Sequence, residues 1–82
     1  MKSDPYLERI EMNPKIMVGK PIIKGTRIPV ELIVRMVAQG IPETEILQEY
    51  PRLKQTDIRA ALSYAAYIVA QEDVFPLLSH AT

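Results

Sequence analysis

The chain has 82 residues, among them no cysteine, no tryptophan, a single phenylalanine and a single histidine. Without thiols there is neither a disulfide framework nor a thiolate metal site to hold a small fold together. His80 lies near the end of the chain with no acidic or histidine neighbour at ligand spacing, and reads as solvated. No nucleophile has a histidine within a plausible motif, and no glycine-rich phosphate loop occurs. Glu43, Glu45 and Glu49 resemble an acid cluster, but they suit the start and solvated face of a helix better than a hydrolase. The expectation is a non-enzymatic protein with no metal or cofactor. Long apolar runs are also missing: none approaches the roughly 18 residues of a membrane span, and MKSDPYLER lacks a signal peptide's apolar core. A cytoplasmic location is therefore expected.

Net charge is absent too. Ten basic and ten acidic residues cancel, which argues against nucleic-acid binding through bulk charge. The distribution is less even than the sum. Residues 13–29 hold Lys15, Lys20, Lys24 and Arg27 and no acid, while residues 30–50 hold four glutamates against Arg35. Arg52, Lys54 and Arg59 then face only Asp57. Convergence of the two basic segments in the fold would restore a nucleic-acid surface.

One domain is expected over residues 1–82, since a chain of this size buries only about 60 to 65% of its unfolded surface. In YLERIEM, alternation places Tyr6, Ile10 and Met12 on one side of a strand interrupted by Glu8. Asn13-Pro14 reads as a turn, and KIMV as a second short strand. Ile22, Ile23 and Ile28 flank Lys24-Gly25-Thr26-Arg27, a β-turn with glycine available for positive φ. Residues 6–28 are thus expected to be short β elements. Within them, GKPIIKGTRIPV carries three cations and no carboxylate. Either something anionic sits opposite it, or its glycines and prolines shape a turn and its cations are solvated.

From Pro29 the period becomes helical over residues 30–71. Val30, Ile33, Val34 and Val37 form one row and Leu32 and Met36 a second, leaving Glu31, Arg35 and Ala38 as a narrow polar strip before the stop at Gly40. A helix this apolar needs cover on two sides, which predicts a homodimer. A second helix starts near Pro42 with Ile46, Leu47 and Tyr50 inward and ends at Pro51; Leu53 is placed to plug the core. The third runs from about Thr56 to Gln71 with the stripe Ile58, Ala61, Leu62, Ala65, Ile68 and Val69. The tail 72–82 loses the period while holding Val74, Phe75, Leu77 and Leu78. Those four fit a partner's groove, with Pro76 keeping the segment extended, or equally a fold-back onto the protein itself.

A short helix, a turn and a longer helix, preceded by an apolar helix, is the layout of a helix-turn-helix, whose second member enters the major groove by its N-terminal residues. It is equally the layout of a plain three-helix bundle with a polar outer face. Under the first reading Gln55, Thr56 and Arg59 lie at the groove, with Gln55, Arg59 and Ser63 on one face, while Arg52 and Lys54 suit phosphates. Lys20, Lys24 and Arg27 remain free for phosphate contact or for an acidic partner.

The run GKPIIKGTRIPVELIV followed by GIPETEILQEYPRLKQTDIRAAL resembles the small prokaryotic domain-of-unknown-function family 433, regarded as antitoxin-like. The resemblance covers roughly residues 6 to 70, with the GKP, GTRIPV, EIL, EYP and DIRAAL segments in order. It implies a mainly α, homeodomain-like or winged-helix-like helix-turn-helix with short N-terminal strands. It also implies operator DNA and a PIN-like ribonuclease toxin, silenced by this protein, as partners. The alternative from the residues alone is a protein-interaction module with no DNA activity. Pro42 and Lys54 stand where the family commonly has a small or hydroxyl cap, so Thr56 becomes the expected cap of the third helix.

Overall fold

Two prolines and a glycine divide the helical half of the chain. In the computed structural model, which describes residues 5–15 and 19–71, helix α1 spans Val30–Ala38 behind Pro29, and α2 spans Glu43–Glu49 behind Pro42. Both prolines sit in extended backbone at the N-cap, where a missing N–H costs nothing. Gly40 ends α1 at φ +84°. Its N–H donates to the Val37 carbonyl and that of Ile41 to the Met36 carbonyl, at 3.0 and 3.1 Å. That pair of bonds is the Schellman closure, which a glycine makes without strain. Helix α3 spans Gln55–Gln71.

The N-terminal part is smaller than the alternation of YLERIEM suggests. Pro5–Arg9 forms a 3₁₀ helix, and only Ile10–Met12 is strand, β1. A leading proline favours the first helical turn over extension, and the Arg9 side chain turns to meet α3, as described below. Met12, placed with Tyr6 and Ile10 on one side of that strand, is exposed. Asn13-Pro14 is a turn as expected, with the Asn13 Oδ1 accepting from the Lys15 N–H at 2.9 Å. The strand expected at KIMV begins in that turn, and its residues 16–18 lie outside the described ones.

Strand β2, Pro21–Ile23, pairs antiparallel with β1, Ile10 opposite Ile23 and Met12 opposite Pro21. The turn after it closes through the Thr26 N–H to the Ile23 carbonyl, with Gly25 at φ +82° in the position that a type II turn reserves for glycine. The chain then returns, the Ile23 N–H donating to the Ile28 carbonyl at 3.1 Å. Ile22 and Ile23 are both fully buried, because the small sheet is covered by helices.

Ile23, Val30, Ile33, Met36, Ile46, Leu53, Ile58 and Ala61 make one core. Leu53 fills it across the α2–α3 turn as expected. On α1 the expected rows are rearranged: Met36 is buried with Val30 and Ile33, whereas Val34 and Val37 are half-buried. The strip of Glu31, Arg35 and Ala38 is exposed, with Arg35 bonded to Glu31 at 3.1 Å one turn away. On α3 the stripe is buried only in the first half, at Ile58, Ala60 and Ala61. Leu62, Ile68 and Val69 are exposed. Length explains Ile68 and Val69: 17 residues make a helix of about 25 Å against about 13 Å for the nine of α1, so the second half outruns its neighbour. The fold is a small mainly α bundle of three helices with a two-stranded sheet near its N-terminus.

Candidate nucleic-acid interface

The two basic segments meet. Arg52, in the turn between α2 and α3, donates from Nη1 to the Gly25 carbonyl at 3.2 Å, joining residues 27 apart in sequence. That carbonyl is available because Gly25 sits at the tip of the Lys24–Arg27 turn. Thr26 holds the turn's shape, its hydroxyl donating to the Ile23 carbonyl at 2.7 Å and accepting from the Ile28 N–H at 3.0 Å. A cleft of about 460 Å³ lies there, lined by Gly25, Thr26, Arg27, Arg52 and the carboxylate-bearing Glu11.

The start of α3 adjoins this edge. Lys54, Thr56 and Arg59 are exposed, and so are Lys24 and Arg27. Among the described residues none of Lys24, Arg27, Lys54 and Arg59 forms an ion pair. Two expected members of the edge differ. Gln55 is exposed, but its Nε2 donates to the Glu43 Oε1 at 3.2 Å, so a base would have to compete with that bond. Lys20 lies 3.8 Å from Glu31 and belongs to α1's polar strip rather than to this edge. Ser63, on the face of Gln55 and Arg59, is half-buried. Val74, Phe75, Leu77, Leu78 and His80 lie outside the described residues.

The residue that positions the edge is Asp57. It is fully buried, and its two carboxylate oxygens do different work. Oδ2 accepts from the Lys54 N–H at 3.0 Å, and Oδ1 accepts from the Arg9 Nε at 2.8 Å. The first bond is the acidic half of a capping box, reaching back from the third residue of the helix to the residue before it. The second ties the N-terminal 3₁₀ helix to α3. Thr56 is therefore not the cap: it stands inside α3, which starts at Gln55 because Asp57 satisfies the N–H one residue before it. An acid three residues after Lys54 was the sequence signal for this start, while its pairing with Arg9, 48 positions away, has no local signature.

Among the described residues no group of three or more His, Cys, Asp or Glu side chains is placed to hold a metal ion. No helix of the described residues is long and apolar enough to cross a membrane.

Comparison with known proteins agrees with this architecture. A crystal structure of a DUF433 member from Anabaena variabilis superposes with a TM-score of 0.70 at 36% identity, covering 77% of this chain and 62% of that one. An uncharacterized protein of Archaeoglobus fulgidus is 60% identical over 30 residues, 37% of this chain and 83% of that protein. The uncharacterized protein y4eO of Sinorhizobium fredii is 36% identical over 58 residues, 71% of this chain but 26% of its own length. Residues 10–65 match the family described as "Protein of unknown function (DUF433)", and the chain belongs to that family.

Proposed function

We propose that this chain is a non-enzymatic, antitoxin-like protein that grips duplex DNA with the edge formed by Lys24, Arg27, Arg52, Lys54 and Arg59, and that silences a PIN-like ribonuclease partner. The observation that carries the DNA part is the bond from Arg52 to the Gly25 carbonyl, which sets the two basic segments side by side at the start of α3. Helix N-termini and arginine or lysine side chains are the usual phosphate partners, and an exposed arginine one turn into the helix suits a guanine edge. The partner part rests on the antitoxin-like character attributed to proteins resembling GKPIIKGTRIPV and DIRAAL, with the apolar tail as the expected contact.

Fluorescence anisotropy on the DNA upstream of the protein's own reading frame tests this. Four to five phosphate contacts imply a loss of affinity of roughly two to three powers of ten between 50 and 200 mM salt. A second reading, an interaction module without DNA activity, is favoured by the Glu11 carboxylate in the basic cleft and by the Gln55–Glu43 bond. No anisotropy change at 50 mM salt, with or without the partner, would select it.

A further inference from the structure

The second half of α3 leaves apolar surface uncovered. Between α1 and the second half of α3 a groove of about 610 Å³ opens, walled by Val34 and Ala38 of α1 and by Tyr64, Ala65 and Ile68 of α3. Val69, 58% exposed, also lines it, and Leu62 and Tyr67 are exposed on either flank of that face of α3. From Ala60 to Gln71 the helix carries no charged side chain. A helix apolar on every side is stable in water only when covered on every side, and a contiguous patch of this kind marks an interface.

We infer that the occupant is a second copy of this chain, the second half of its α3 lying antiparallel in the groove while the first copy's α3 fills the partner's. Each copy presents both an apolar groove and an uncharged length of helix to fill one, so one twofold contact covers both, reciprocally. The rim also carries both signs of charge. Glu31 sits between Lys20 at 3.8 Å and Arg35 at 3.1 Å, a mixed-sign array that a partner of one sign would oppose in half its contacts. The chain's zero net charge leaves no long-range repulsion between copies. Ala65, Ala66 and Ala70 let the two helices approach to about 8 Å between axes.

Sedimentation of the full chain at ten-micromolar concentration is expected to give twice the chain mass of 9.3 kDa. Val69→Glu, at an exposed site, is expected to keep a cooperative melting transition and the parent's helix content while raising the dimer dissociation constant roughly a hundredfold. Because the chain has no cysteine, Gln55→Cys and Gln71→Cys each accept one spin label per copy. Antiparallel pairing about the middle of residues 62–71 sets the two Gln55 backbones roughly 35 Å apart and the two Gln71 backbones roughly 16 Å apart. Equal distances for the two labels would overturn the arrangement. A mass of one copy would overturn the assembly, and so would a single-copy mass that doubles when residues 72–82 are removed, since that result assigns the groove to the chain's own tail.

Discussion

Asp57 holds two things at once, and its removal separates them. In Asp57→Ala the Lys54 N–H loses its acceptor and Arg9 its partner, so about 2 to 4 kcal/mol of stability should disappear in urea titration. Arg9→Ala should cost a similar amount by a different route, because it leaves a fully buried carboxylate with only the capping bond. The double variant should lose less than the sum by about 1 kcal/mol or more; strict additivity would mean that the ion pair contributes nothing to linking the 3₁₀ helix with α3. Gly25 and Gly40 act through the backbone alone. Both have positive φ, and a Cβ on either would meet nothing within 4 Å. Ala at either site should therefore cost about 1 to 2 kcal/mol from left-handed strain without any packing term. A markedly larger loss at Gly25 would show that the turn's shape also holds Arg52 and the α2–α3 turn in place.

At the scale of elements, the helices were largely legible because their punctuation is chemical. Pro29, Gly40, Pro42 and Pro51 act within their own neighbourhoods, and α1 and α2 start and stop where those residues dictate. What was not legible depends on partners distant in sequence. A hydrophobic stripe tells which side of α3 is apolar but not how long its neighbour is, so Ile68 and Val69 read as core and are exposed. The Pro5–Arg9 turn carries too few residues for a period, and Arg9's role is set by Asp57. The basic edge was half legible: the charge segments stand out in the sequence, whereas the Arg52–Gly25 bond that brings them together depends on how the α2–α3 turn lies against the β2–α1 turn. The edge's two kinds of cation should separate in binding experiments. Arg59→Ala should cost about 1 to 3 kcal/mol on a preferred sequence and relax that preference, while Lys54→Ala should weaken every duplex alike and reduce the salt slope by about one. Neither side chain is buried, so both variants should melt as the parent does. Equal losses on specific and random DNA for Arg59→Ala would remove it from base contact and leave it on phosphate.

For the whole molecule, assembly and DNA binding make a joint geometrical demand. Helix α3 is about 25 Å long, and antiparallel overlap of its second half in the proposed dimer would leave the two Thr56 positions roughly 33 Å apart, allowing for the lateral offset of the axes. One turn of B-DNA between half-sites is about 34 to 36 Å. Orientation is compatible too. At about 100° per residue, the side of α3 bearing Leu62, Ala65, Ile68 and Val69 lies roughly a quarter-turn from the side bearing Gln55 and Arg59. A twofold axis within the helix–helix contact therefore turns both Arg59 side chains toward the same side of the dimer. The expected operator is an inverted repeat with half-site centres one turn apart. Inserting five base pairs between its halves rotates one of them to the far side of the duplex and should lower affinity at least a hundredfold, to that of a single half-site, because the second contact loses its effective concentration. Titration of the intact and the expanded operator with the same dimer measures this. Equal affinities would break the link between the dimer and DNA while leaving the spin-label distances, and with them the assembly, to stand by themselves.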